Sequence, residues 1–197
     1  MLKVALTGGI GCGKSEVSNL FNKWGAYIFD ADTIAKRILN KNKIAQKELI
    51  SEFGSDIISI EGNVDKQKLS RIAFQNEYNQ LKLNTIIHPY VFQEIDLCFD
   101  KVLAKGNHRI FIVDAALIYE SGADTHMDYV VVITSHLKIR TERVMIRGDL
   151  SRDEFLKRVE LQWPEKDKIE MADFIIQNNG SKDALQKEAR KIYNQLQ

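Results

Sequence analysis

Near the amino terminus the chain reads Gly8-Gly9-Ile10-Gly11-Cys12-Gly13-Lys14-Ser15, which meets the spacing G-x-x-x-x-G-K-[ST]. An apolar run, Val4-Ala5-Leu6, precedes it and a segment of helical periodicity follows, so strand, loop and helix are demanded in that order. The chemistry behind the spacing is the wrapping of an anion by backbone N–H groups. Glycines let the backbone bend and approach closely, and the helix that follows aims its positive end at the anion. Lys14 then reaches the terminal phosphates of a nucleotide and the Ser15 hydroxyl serves Mg²⁺. Gly8, Gly9, Gly11, Cys12, Gly13, Lys14, Ser15 and Glu16 are the expected nucleotide-contacting residues. An ordinary glycine-rich turn is the bland alternative, and the full pattern in its strand-to-helix context disfavours it.

The rest of the chain is consistent with that start. A first strand at about 3–6 feeds the loop, a helix runs from about 13 to 24 and stops at Gly25, and Ala26-Tyr27-Ile28-Phe29 forms a second strand ending at Asp30-Ala31-Asp32. Strand, helix and strand at this spacing make a βαβ unit and call for a parallel sheet, with Asp30 and Asp32 at its carboxyl edge. From 33 to 105 the pattern turns helical, with segments at 44–53, 67–74 and 78–104, the last expected to be interrupted at His88-Pro89. The alternation then resumes with Ile110-Phe111-Ile112-Val113-Asp114, a buried strand closed by a carboxylate placed to serve the magnesium, directly or through water. Strands at 129–133 and 173–176 and an amphipathic helix at 182–196 complete it. The predicted fold is α/β: a P-loop nucleotide-binding core of five parallel strands flanked by helices, formed by 1–32 and 106–197, carrying a helical insertion at 33–105.

Between the last two strands Arg140, Arg143 and Arg147 recur at helical spacing on one face, with Lys138 and Arg152 nearby and Gly148 breaking the helix before a second one at 152–162. That arrangement suits a mobile lid, about 138–165, closing over a triphosphate. A solvated basic face is the alternative. Function classes are narrowed by charge: 28 basic and 27 acidic residues leave a formal +1, too little for a global field that holds nucleic acid or a membrane. Two cysteines, Cys12 and Cys98, are too few for a disulfide framework, which fits a reducing cytoplasmic setting. No apolar run reaches the roughly 18 residues of a membrane span, and Met1-Leu2-Lys3 leads straight into the first strand rather than into a secretory signal.

These motifs together resemble the dephospho-coenzyme A kinase family over nearly the whole chain. Thr7-Gly8-Gly9-Ile10-Gly11-Cys12-Gly13-Lys14-Ser15 is similar to its T-G-G-I-G-S-G-K-S, Asp30-Ala31-Asp32 with Ile34-Ala35 to its D-A-D-x-I-A, Ile87-His88-Pro89 to its I-x-H-P, and Ala172-Asp173 through Asn178 and Gly180 to its A-D-x-x-I-x-N-x-G. Arg143, Arg147 and Gln162 fit its R-x-x-x-R with a following glutamine. The resemblance implies transfer of a phosphoryl group from ATP, with Mg²⁺, to the ribose 3′-hydroxyl of dephospho-coenzyme A. It implies Asp32 as the base at the acceptor hydroxyl, Lys14, Arg143 and Arg147 as the cations around the transferring phosphoryl, Ser15 and Asp114 at the metal, and Asn178 beside the nucleotide. Thr7, Asp32, Lys66, His88 and Leu117 are the implied acceptor contacts. Three departures stand out: Lys66 where the family has arginine, Ala116 in place of a proline, and Arg140 in place of a glutamine.

Another nucleoside or nucleotide kinase would share the loop, core and arginines, though not D-A-D-x-I-A with I-x-H-P. A GTPase-like switch requires N-K-x-D, and Asn22-Lys23-Trp24-Gly25 lacks the acid. A small-molecule substrate, no nucleic acid or membrane partner, and a monomer or weak homo-oligomer are the expected associations.

Overall fold

The computed structural model describes residues 1–60 and 62–197. Its centre is a parallel sheet made of β1 (Leu2–Gly8), β2 (Tyr27–Asp30), β3 (Ile110–Asp114), β4 (Tyr129–Thr134) and β5 (Phe174–Gln177), in the spatial order β2-β3-β1-β4-β5. The near-continuous apolar strands follow from burial on both faces, and β3 is buried along its whole length. On one face α1 (Lys14–Lys23) and α9 (Lys182–Gln195) close over Ile110, Ile112, Val131 and Ile133 with Phe21, Ala189 and Tyr193. The Tyr193 hydroxyl donates to Trp24 O at 2.6 Å and the Arg190 guanidinium lies 4.8 Å from the Trp24 ring, so α9 covers the end of α1 with polar groups satisfied.

Two compact units emerge: Met1–Asp30 with Cys98–Gln197, and Ala31–Leu97. The second unit is helical. It contains α2 (Ala31–Lys41), α3 (Lys43–Phe53), a 3₁₀ turn at Ser55–Ile57, α4 (Lys66–Ala73) and the greater part of α5 (Glu77–Lys105). Asn42 caps α3 by accepting from Ile44 N and Ala45 N, and Asp65 caps α4 by accepting from Gln67 N and Lys68 N. The buried Gln46 amide donates to Leu39 O and Asn40 O at 2.8 and 3.0 Å, closing the carboxyl end of α2.

The expected interruption at His88-Pro89 does not occur, because α5 runs unbroken through Pro89. A proline inside a helix costs about 3 kcal/mol, since it removes the N–H that would bond the carbonyl of Thr85. Ile87, Val91 and Ile95 lie at helical spacing across the proline and are all buried. Each such side chain gains about 1.5–3 kcal/mol on burial, so the apolar stripe outweighs the proline. The sequence reading of the 152–162 helix is shortened: α7 is Arg152–Glu160, opened by a Ser151/Glu154 capping box. A further helix, α8 (Glu165–Glu170), follows it. The preceding α6 (Leu137–Arg147) stops at Gly148 in the left-handed region, φ 73°, as the glycine predicts.

In the link after β3, Tyr119 stacks on Trp163, with ring centroids 6.0 Å apart and 9° between planes. Its hydroxyl is buried without a hydrogen-bond partner among the described residues. Burial, reinforced by the negative charges of Asp124 and Asp173, pushes its pKa up to about 12. The unfolded chain ionises Tyr119 at about pH 10. The folded form keeps its proton to higher pH, so this contribution is fully present below pH 10 and is lost as pH rises toward 12. Tyr119→Phe should therefore flatten the fall of the urea midpoint between about pH 10 and 12 and cost little at pH 7, because it removes an unsatisfied buried hydroxyl.

Candidate active site

Parallel pairing fixes the first feature of the site. Leu6 of β1 is in register with Asp114 at the end of β3, and Ala115 N donates to Leu6 O at 3.1 Å, so the phosphate loop and the strand-end carboxylate leave the sheet side by side. The loop turns straight into α1, whose first residue, Lys14, forms an ion pair with Asp114 Oδ1. Both partners are largely buried. On the other side of β3, Asp30 of β2 is in register with Asp114, which puts a second, exposed acidic residue on the same sheet edge. Thr7 is fully buried and its hydroxyl donates to Ala116 O at 3.3 Å, joining the end of β1 to the link after β3. Leu117 lies in that link, partly buried.

At Gly13 the backbone is left-handed, φ 98°, and a Cβ there would collide with Asn178 Nδ2, so no other residue fits without displacing that side chain. The same amide donates to Cys12 O at 2.8 Å, and its Oδ1 accepts from Arg143 Nη2 at 3.2 Å. Asn178 thus props the loop from behind. Helix α1 begins at Gly13 with no side-chain cap, whereas Ser181 caps α9 and Ser151 caps α7. An uncapped helix start at a glycine-rich bend is the arrangement that receives an anion. Burial pushes the Cys12 thiol up, outweighing the pull of Lys14 and Arg140, so this cysteine packs as a small apolar group and stays protonated.

The arginines expected to share one face occupy three environments. Arg140 is buried: its Nε donates to Ile10 O at 2.8 Å and its Nη1 pairs with Glu165 Oε2 at 3.1 Å. Arg143 reaches Cys12 O, Ser135 Oγ and Asn178 O at 3.3, 3.3 and 3.1 Å, which brings its guanidinium to the loop. Arg147 is exposed and pairs with Asp149 across the Gly148 bend at 2.9 Å. Helical spacing correctly aligns the three but says nothing about which is covered by a neighbouring element. Glu165, which decides the environment of Arg140, carries no local sequence signal because its partners, Thr134, Ser135 and Arg140, are remote in sequence.

Magnesium is the metal the loop implies. The oxygen donors at this edge are the Ser15 hydroxyl and the carboxylates of Asp114, paired with Lys14, and Asp30, in register with Asp114, and no group of three or more His, Cys, Asp or Glu suited to a metal occurs among the described residues. A sparse, oxygen-only set suits Mg²⁺, which takes one or two carboxylates and completes its shell with phosphate and water; it does not suit zinc. In the helical unit, Asp32 is exposed in the first turn of α2, Lys66 is the first residue of α4, and the His88 ring lies 6.0 Å from that of Phe92 on α5.

A parallel sheet with a glycine-rich loop at its carboxyl edge, and a loop lysine paired with a strand-end aspartate, define a P-loop phosphotransferase. The family model for dephospho-CoA kinase matches residues 2–184, and the chain belongs to that family. It is similar to the dephospho-CoA kinase of Aquifex aeolicus, 35% identical over 100% of this chain and 98% of the relative. A solved structure of dephospho-CoA kinase from Campylobacter jejuni superposes with a TM-score of 0.69 at 30% identity, covering 98% of this chain and 96% of that one. A crystal structure of a Thermus thermophilus protein gives a TM-score of 0.81 at 27% identity over 100% and 98% of the two chains. The activity that goes with the family is ATP-dependent phosphorylation of dephospho-CoA in coenzyme A biosynthesis.

The segment beside the site carries a buried ion pair, Lys168 Nζ to Glu120 Oε1 at 2.6 Å, and the same carboxylate accepts from Trp163 N at 2.9 Å. Lys168→Met should destabilise by about 3–5 kcal/mol in urea unfolding, because it leaves the Glu120 charge buried and unpaired. Adding Glu120→Gln to Lys168→Met should recover most of that loss.

Proposed function

We propose that the chain transfers the terminal phosphoryl of ATP to the ribose 3′-hydroxyl of dephospho-CoA, with Asp32 as the base that orients and accepts the acceptor proton. The observation that carries the reading is the Lys14–Asp114 pair at the mouth of the phosphate loop, in a chain of this family. Phosphoryl transfer asks chiefly for positioning and charge neutralisation. Within the loop from Gly11 to Ser15, the N–H groups of Gly11, Gly13, Lys14 and Ser15 and the Lys14 ammonium hold the phosphates, the Cys12 N–H being bonded to Gly9 O. Ser15 and Asp114 would hold Mg²⁺, which supplies further neutralisation of the phosphate oxygens. Arg143 is held close enough to the loop to act on the transferring group, and Arg147, on the exposed end of α6, reaches it when the part of the lid, about 138–165, that lies between the loop-bound Arg143 and Gln162 closes. Asn178 acts on the nucleotide through the loop it supports.

The helical insertion at 33–105 binds the acceptor, with Lys66 and His88 as its polar contacts; in the core Leu117 keeps an acceptor-binding role, whereas Thr7, fully buried with its hydroxyl bonded to Ala116 O, holds the end of β1 instead. Lys66 offers a point charge where an arginine would give a planar fork, so it recognises a phosphate with less directional specificity. Asp32 follows β2 by two residues, and placement matters more than basicity because the proton leaves late in a loose transition state. No helix among the described residues is long and apolar enough to cross a membrane. The protein works in the cytoplasm on a small-molecule acceptor as a monomer or weak homo-oligomer, without nucleic acid.

Offered ATP and Mg²⁺ with dephospho-CoA, adenosine monophosphates and nucleosides in parallel, the protein should turn over dephospho-CoA, and phosphate should appear at the 3′ position by ³¹P NMR. Turnover confined to another acceptor would overturn the reading. Asp32→Asn should bind ATP normally in calorimetry and lose about 10²- to 10⁴-fold in kcat. Near-normal turnover by that variant would remove Asp32 from the mechanism.

A further inference from the structure

Both backbone polar groups of Ile10, inside the phosphate loop, are held by side chains from elsewhere. Its N–H donates to Gln162 Oε1 at 3.0 Å, and its carbonyl accepts from Arg140 Nε at 2.8 Å. We propose that Gln162 and Arg140 are positioning residues that clamp Ile10 from two sides, fixing the shape of the phosphate loop before nucleotide arrives.

The anchorage of each arm supports this. Gln162 also directs its Nε2 to Ala116 O at 3.5 Å, the carbonyl that Thr7 bonds, so it spans the loop and the link leaving Asp114. Its neighbour Trp163 is tied through its N–H to Glu120, whose charge is paired with the buried Lys168. On the other arm, Glu165 takes Arg140 on one carboxylate oxygen and receives the Thr134 hydroxyl and Ser135 N on the other. The α7–α8 link, 161–164, with the first residue of α8 therefore supplies one arm of the clamp, Gln162, and the carboxylate that anchors the other, Arg140 of α6. The guanidinium also lies against Gly9, where an added Cβ would come within 2.5–2.6 Å of Arg140 Nη2 and Cζ.

The chemistry separates Arg140 from the arginines assigned to the phosphoryl group. Its charge is neutralised by Glu165 and its Nε–H is directed at a carbonyl, so it contributes geometry rather than field. The Ile10 N–H is likewise committed to Gln162 and the Cys12 N–H to Gly9 O, which leaves phosphate binding to the remaining N–H groups of the loop. A loop held this way gives up less conformational freedom when it binds.

The inference rests on the loop being the ATP cradle, and the experiment separates the two. Calorimetric titration of the full chain with ATP and Mg²⁺ is compared for wild type, Gln162→Leu, Arg140→Met, Arg140→Lys and the Gln162→Leu/Arg140→Met double variant. Each single variant should raise the ATP Kd about tenfold, the scale of one lost buried hydrogen bond. The KM for dephospho-CoA at saturating ATP should stay within twofold. Amides at 9–13 should exchange faster in the nucleotide-free protein, a change that general destabilisation would not confine to the loop. Arg140→Lys should behave like Arg140→Met, and the double variant should fall well short of the product of the singles, because both contacts restrain one residue. Unchanged Kd and exchange in Gln162→Leu, full rescue by Arg140→Lys, or multiplicative effects would each overturn the clamp. Should Arg140→Met fail to fold, Gln162→Leu at its partly exposed position decides the matter. Wild-type protein that does not bind ATP would instead overturn the cradle itself.

Discussion

A loop that turns its N–H groups toward an anion must find other partners for its carbonyls, and this single constraint accounts for much of what surrounds residues 8–15. A buried backbone group left unpaired costs about as much as a lost hydrogen bond. Two of these carbonyls are met within the loop and α1: Gly9 O accepts from Cys12 N, and Gly13 O from Glu16 N and Val17 N. The carbonyls of Ile10 and Cys12 have no such local solution. They are taken by Arg140 and by Asn178 with Arg143, which requires α6 and the residues after β5 to pack against the loop. The order β1-β4-β5 makes that possible, since α6 follows β4 and Asn178 follows β5 directly.

What the residues reveal in advance depends on how local the interaction is. The phosphate loop, the uniformly apolar β3 ending in Asp114, and the stop at Gly148 are legible because each is set by neighbours a few positions away. Pro89 misleads because a local rule worth about 3 kcal/mol competes with burial of Ile87, Val91 and Ile95, and a single proline gives no measure of that burial. The arginines of α6 show the limit most clearly. Their spacing fixes a common face, yet Arg140 is buried and Arg147 exposed, a difference decided by Glu165, 25 positions along the chain from Arg140. Gln162 stands out in a motif, but a motif does not identify Ile10 as its partner.

The same packing sorts the positive charge of the site by mobility. Arg140 is cancelled by Glu165 and is fixed by its bonds to Ile10 and Glu165, so it cannot follow a moving phosphoryl group. Arg143 is held by neutral partners, two backbone carbonyls, a hydroxyl and an amide, and keeps its full charge beside the loop. Lys14 faces a carboxylate, but a lysine is a point charge on a flexible stem and can exchange one anionic partner for another without matching a planar fork. In the proposed reaction that exchange, from Asp114 to phosphate, also leaves the carboxylate to serve a cation. A loop lysine is therefore better suited to this place than an arginine, whereas the fixed carbonyl contact at Ile10, made together with a bond to Glu165, requires the directional donors that only Arg140 supplies.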